Sequence, residues 1–141
     1  MPTRKLQRPT VIALLWIAAA GIATYWVSYF TGGEVHAASD ACYHVFERNF
    51  PLPDGFVALC AILCAENLRR QRETALLWGL LCAGGFFFLG LIDIGYNLWN
   101  GMYRIASAAM AAEIVINLYC LGFAFGLSRF LWRRLPGYIG R

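Results

Sequence analysis

The sequence predicts an all-α integral membrane protein in which four transmembrane helices form one antiparallel bundle. Of its 141 residues, 60% are hydrophobic and 14% are charged, whereas a soluble domain usually carries about a quarter charged residues. Four apolar stretches are also long enough to cross a hydrocarbon core of about 30 Å. The whole chain, 1–141, is therefore expected to form a single membrane domain, with the lipid bilayer as its main partner.

The distribution of basic residues predicts the orientation of this bundle. Two arginines, Arg48 and Arg104, fall in the first and third connections between the apolar stretches. The other Lys and Arg residues lie before the first stretch, in the second connection or after the last stretch: Arg4, Lys5, Arg8, Arg69, Arg70, Arg72, Arg129, Arg133, Arg134 and Arg141. The positive-inside rule places both termini in the cytoplasm and favours the plasma (inner) membrane as the location. These residues form no continuous basic face, so no nucleic-acid partner is expected.

The first helix is predicted at about 11–30, a stretch without a charged residue. A basic lead, an apolar run and the small-residue segment Val35-His36-Ala37 are also typical of a cleaved secretory signal. The apolar run is longer than the 7–15 residues or so of a signal peptide. We therefore expect the helix to be retained.

The remaining helices are predicted at about 53–70, 75–98 and 107–131. Pro51 and Pro53 mark the start of the second helix, because proline is tolerated in a first helical turn. The third helix carries several glycines, which in lipid allow neighbouring helices to approach closely.

Two acidic residues of the second helix have local explanations. Asp54 suits the first turn, where a negative charge interacts favourably with the helix dipole. Glu66 lies three and four residues before Arg69 and Arg70, which predicts an ion pair at the cytoplasmic end.

The outer first loop is predicted to contain a short amphipathic helix lying on the membrane. Its apolar residues recur at helical spacing: Val35, Ala38, Cys42, Val45 and Phe46. The other face carries His36, Asp40 and His44, followed by Glu47. Imidazole and carboxylate groups bind zinc, so His36, Asp40 and His44 are a candidate metal site. Such ligands would span about 12 Å of helix, and a solvated polar face is the simpler interpretation.

Cysteine and histidine usage excludes several classes of membrane protein. The five cysteines contain no CxxC pair, which disfavours a thiol oxidoreductase, and the four within apolar runs are expected to be small buried residues. Both histidines lie in the outer loop, whereas a membrane haem carrier needs histidine ligands inside its bundle. No cofactor is therefore expected. The first helix also lacks the acidic residue on which small multidrug carriers depend.

The main candidate site lies at the outer ends of the third and fourth helices. Asp93, Asn97 and Asn100 follow an i, i+4, i+7 spacing, and Glu113 and Asn117 follow an i, i+4 spacing, so each set shares one helical face. The short connection predicts that these two helices are neighbours. With two tyrosines as its wall, the predicted ligand-binding set is Asp93, Tyr96, Asn97, Asn100, Tyr103, Glu113 and Asn117.

The acidic residues of this set admit several functions. An ionised carboxylate near the centre of a bilayer costs about 2.5–3.5 kcal/mol, and no Lys, Arg or His lies deep in the four helices to pair with Asp93 or Glu113. We favour a non-enzymatic bundle whose outward-facing pocket binds a lipid-like or cationic molecule, or seats a partner membrane subunit. One alternative is a proton-coupled carrier, working as a homo-oligomer. Another is an isomerase-like acid/base enzyme acting on a lipid or sterol-like substrate. In a fourth interpretation the acids only stabilise helix contacts.

Overall fold

The computed structural model describes residues 3–32 and 41–134, and every regular element in these two ranges is helical. The elements are α1 (Thr3–Thr31), α2 (Ala41–Glu47), α3 (Pro51–Arg69), α4 (Ala75–Trp99), a 3-10 turn (Met102–Arg104) and α5 (Ala108–Trp132). Four helices, namely α1, α3, α4 and α5, lie in stretches long and apolar enough to cross a membrane. The predicted all-helical class and the four candidate membrane spans are therefore confirmed.

Local sequence signals explain the boundaries of α3 and α5, which lie close to the predicted positions. Pro51 is the first residue of α3, where its missing N–H removes no helical hydrogen bond. Ser107 is the N-cap of α5, and its hydroxyl oxygen accepts a hydrogen bond from the backbone N–H of Met110 at 3.0 Å. Such a cap satisfies a backbone donor that has no partner inside the helix.

The helix α1 begins at Thr3 and contains Pro9, earlier than the predicted start near residue 11, and its stretch apolar enough to cross a membrane begins at Arg8. This first part of α1 contacts α3. The Arg8 guanidinium donates to the backbone carbonyls of Leu68 and Arg69 at the end of α3. The last carbonyls of a helix lack intrahelical partners, so this contact stabilises both helix ends and holds the basic lead against α3.

The four long helices pack in chain order. α1 packs against α3, α3 against α4, and α4 against α5, while within the described ranges α1 and α5 share no comparable contact. Glycines of α4 lie at the close approaches, as predicted. A Cβ added at Gly85 would overlap Cγ2 of Val57, and one added at Gly90 would lie 3.3 Å from Cβ of Cys120.

Two further predictions about the helices are confirmed. Glu66 accepts two hydrogen bonds of 2.8 Å from Arg69 and pairs with Arg70 as well. The four cysteines within the apolar stretches, Cys60, Cys64, Cys82 and Cys120, are buried, and Cys42 is exposed.

The short helix α2 covers the end of the bundle at which α4 ends and α5 begins, which we call the α2 end. Tyr43 is buried and packs with Met102 and Met110, and Phe46 stacks on Tyr96 with ring centroids 3.9 Å apart. Burial of these two aromatic rings attaches α2 to the long helices.

Glu47 of α2 is oriented differently from the prediction. It was predicted to lie on a solvated polar face, yet the residue is only 7% exposed. The reason is that two tyrosine hydroxyls lie within hydrogen-bonding distance of its carboxylate. Cys42 and Val45, predicted on the apolar face, are exposed, and the contact of this face with a membrane stays a prediction. Residues 33–40, which hold the other part of the predicted amphipathic helix, lie outside the described ranges.

Candidate functional site: an acidic cavity between α1 and α5

A cavity of about 470 Å³ lies between α1 and α5, and residues of α2, α3 and α4 complete its wall. It exists because α1 and α5 do not pack against each other as the other neighbouring helices do. Its volume is within the range of about 300–1,000 Å³ that is typical of small-molecule sites.

Four carboxylates from four different helices line this cavity: Glu47, Asp54, Asp93 and Glu113. None of the lining residues is Lys, Arg or His. In the part of the chain that the structure describes, no ion pair involves Asp54, Asp93 or Glu113, and the ion pairs of Glu66 lie at the opposite end of α3. The cavity therefore gathers four acidic side chains without basic residues in its wall.

The polarity of the wall changes along each long helix. On α4, Asp93 lines the cavity near the α2 end and Phe86 lines it further along the helix. On α5 the corresponding residues are Glu113 and Cys120. The two residues of each pair are seven positions apart in their helix, which corresponds to about 10 Å at 1.5 Å per residue. The wall is therefore acidic at the α2 end and apolar over roughly the next 10 Å.

Tyr43 links two of the four carboxylates. Its hydroxyl lies 3.1 Å from Oε1 of Glu47 and 3.3 Å from Oε2 of Glu113. A hydroxyl carries one hydrogen, so it donates to one carboxylate at a time. The hydroxyl of Tyr25 on α1 also donates to Glu47, at 2.8 Å. Through Glu47 and Tyr43, α2 therefore connects α1 to α5 across the α2 end of the cavity.

Neighbouring helices also hold Glu113 and Asp54 in place. The side-chain amide of Asn97 on α4 donates to Oε1 of Glu113 on α5. The indole N–H of Trp26 on α1 donates to Oδ2 of Asp54 on α3 at 2.7 Å. Hydrogen bonds to charged groups are stronger than neutral ones, so these contacts fix the positions of both carboxylates.

Asp93 and Asn117 differ from these groups in their hydrogen bonding. The Asn117 amide lies close to the Asp93 carboxylate, but its nitrogen has no partner in hydrogen-bond geometry, although the residue is only 3% exposed. The carbonyl oxygen of the buried Asn97 side chain likewise has none. An unsatisfied buried polar group costs about 1–3 kcal/mol, so such groups need an explanation.

Four residues of the predicted site lie at or directly behind the cavity wall. Asp93, Glu113 and Asn117 line the cavity. Asn97 is fully buried behind the wall and contacts the cavity indirectly, through its hydrogen bond to Glu113.

The other three predicted residues lie outside the cavity wall. Tyr96 stacks on Phe46 of α2. Asn100 is exposed, and its amide donates to the backbone carbonyl of Tyr96 in its own helix. Tyr103, in the 3-10 turn, packs beside the cluster around Tyr43. Partial burial, together with the charges of the nearby acids, raises the pKa of Tyr103, although the nearby side chains of two asparagines act in the opposite direction.

The predicted metal site lies mostly outside the described ranges. His36 and Asp40 belong to residues 33–40, and His44 lies on α2 with its ring 6.1 Å from the ring of Tyr43. Among the described residues, no group of three or more His, Cys, Asp or Glu side chains is arranged to hold a metal ion.

The predicted site did not include Glu47, Asp54, Tyr25, Trp26 or Tyr43. The two acidic residues had local explanations, a solvated polar face for Glu47 and a helix first turn for Asp54. One signal could have indicated a shared site. Asp54 lies close to the start of its helix, and Asp93 and Glu113 lie similarly close to the same predicted membrane surface.

Comparisons of the chain with protein-family models, with curated proteins and with solved structures gave no match. The geometry of the cavity is therefore the observation that bears on function.

Proposed function

We propose that this protein is a non-enzymatic membrane protein that binds an amphiphilic organic cation in the cavity between α1 and α5. The ammonium group of the ligand lies among the carboxylates at the α2 end, and its hydrocarbon chain lies along the apolar wall. The observation that carries the proposal is the set of four carboxylates in one cavity whose lining contains no basic residue.

Electrostatics supports a cationic ligand over a neutral or anionic one. Two like charges 4 Å apart repel by about 4 kcal/mol at an effective dielectric constant of 20, so several carboxylates around one cavity destabilise each other. A bound cation offsets this repulsion. Since Glu47, Asp54 and Glu113 already accept hydrogen bonds from neighbouring helices, their positions are fixed before the ligand binds, which lowers the entropic cost of binding.

The polarity of the wall supports an amphiphile over a small inorganic cation. Residues such as Ile17, Phe86 and Leu89 line the cavity beyond the acidic end. A hydrocarbon chain buried there is stabilised by about 0.8 kcal/mol for each CH₂ group relative to water, so the wall can accommodate the chain of an amphiphile. An inorganic cation would leave this part of the cavity without a partner.

The proposal includes a placement in the membrane. The four long helices span it as an antiparallel bundle in the plasma (inner) membrane, with both termini in the cytoplasm. The excess of basic residues at the termini and in the α3–α4 turn supports this orientation. The α2 end, with its amphipathic helix, then faces the outside.

Thermal unfolding of the purified protein in a neutral maltoside detergent tests the proposal. The probes are decylamine, decanol and decyl sulfate, which share one chain length and differ in charge. We expect decylamine to raise the melting temperature most. A ligand at 100 times its Kd stabilises the folded state by about 2.7 kcal/mol.

Two charge-neutralising variants complete this experiment. Asp93→Asn should abolish the stabilisation by decylamine, because it removes a carboxylate from the cavity. Glu66→Gln removes a carboxylate at the other end of α3 and should leave the stabilisation intact. The proposal fails if decanol protects wild type as well as decylamine does, or if both variants respond alike.

A further inference from the structure

The hydrogen bonding of the acidic cavity specifies its ligand more closely, on the premise that the proposed binding of an amphiphilic cation is correct. Glu47, Asp54 and Glu113 each accept a hydrogen bond from a side chain of a neighbouring helix. Within the described residues, Asp93 meets no donor in hydrogen-bond geometry; the Asn117 amide lies close enough to interact with its carboxylate, but not in the geometry of a formed hydrogen bond. Its oxygens are therefore available to a donor on the ligand.

Asn117 supplies the complementary feature. Its side chain lines the cavity, the residue is 3% exposed, and its amide nitrogen lacks a hydrogen-bond partner. This N–H₂ group can only donate. A ligand that satisfies it must carry an acceptor close to the group that binds Asp93, because the two side chains are neighbours in the wall.

We infer that the ligand is a long-chain amino alcohol, in which an ammonium group and a hydroxyl group sit on adjacent carbons. The ammonium N–H donates to the Asp93 carboxylate, and the hydroxyl oxygen accepts from the Asn117 amide. A primary amine of the same length satisfies only Asp93. A quaternary ammonium carries no N–H and satisfies neither group by hydrogen bonding.

Three ligands with a ten-carbon chain test this inference by competitive binding to the detergent-solubilised protein: 2-aminodecan-1-ol, decylamine and decyltrimethylammonium. We expect the amino alcohol to bind about 5- to 10-fold more tightly than decylamine, the effect of one additional hydrogen bond. The quaternary ammonium should bind more weakly than either.

Substitutions of two asparagines then locate the effect. In Asn117→Leu the ratio of amino alcohol to amine affinity should fall to about 1, because the donor is gone. In Asn67→Leu, a half-buried asparagine at the other end of α3, the ratio should stay at its wild-type value.

The outcomes separate this inference from the proposed function. Equal affinities of wild type for the amino alcohol and the amine would overturn the inference and leave the binding of organic cations standing. A preference that survives in Asn117→Leu would overturn it as well. If neither amine binds wild type, the proposed function itself fails. Should Asn117→Leu not fold, the comparison of ligands on wild type still decides the question.

Discussion

Two neighbouring glycines of α4 provide a sensitive test of the packing between α4 and α3, two helices that line the acidic cavity. A Cβ added at Gly85 overlaps Cγ2 of Val57 on α3, whereas a Cβ added at Gly84 has no atom within 4 Å. Exchanging either glycine for alanine raises helix propensity by about 1 kcal/mol in water. Because both residues lie in the same helix, this contribution cancels when the two alanine variants are compared.

The remaining difference between the variants is the packing at Val57. This side chain is 2% exposed, and a valine in a helix has one strongly preferred rotamer, so it cannot turn away from a new methyl group. Overpacking a close contact costs about 1–3 kcal/mol. We therefore expect the free energy of unfolding of Gly85→Ala to be lower than that of Gly84→Ala by about 1–3 kcal/mol.

Reversible unfolding in mixed detergent micelles, followed by circular dichroism, measures this difference. Combining Gly85→Ala with Val57→Ala removes the overlapping methyl group. The double variant should therefore be more stable than the sum of the single effects indicates. Equal stabilities of the two glycine variants would refute the reasoning, as would strictly additive effects in the double variant.

Three further outcomes follow from the structure. Tyr43→Phe removes the hydroxyl shared by two carboxylates and should lower the free energy of unfolding by about 1.5–3 kcal/mol, measured by the same unfolding experiment; an unchanged stability would contradict the hydrogen bonds assigned to it. Gly21→Phe fills the cavity, since Gly21 lines it and a Cβ there meets open space, and should abolish stabilisation by decylamine. Gly122→Phe, also open but outside the cavity wall, is its control and should retain the response. A membrane-impermeant maleimide should label the exposed Cys42 in intact cells and leave the four buried cysteines unlabelled; labelling of Cys42 only after lysis would reverse the proposed orientation.

The starts of α3 and α5 could be predicted closely because each depends on a few adjacent residues. Pro51 and the Ser107 cap act within one helical turn, so their effects can be recognised in the sequence. The start of α1 could not be predicted in this way. Its first turns contact the end of α3 through Arg8, sixty residues away in the chain, and no local pattern indicates that contact.

The same distinction applies to the acidic cavity. Asp93, Glu113 and Asn117 share helical faces that sequence spacing indicates. Glu47 and Asp54 join them through the fold, by contacts of α2 and α3 with α1 that no periodicity encodes. A carboxylate that already has a local explanation gives no sequence signal that it also faces a distant cavity.

The weak packing between α1 and α5 also bears on how the proposed ligand would reach the cavity. With the long helices placed in a membrane as proposed, this side faces acyl chains, so a hydrophobic ligand arrives by lateral diffusion within the leaflet. Occupancy then follows the mole fraction of ligand dissolved in the lipid and not its concentration in water. Adding empty vesicles at constant total ligand should therefore empty the cavity, although no competing molecule has been introduced.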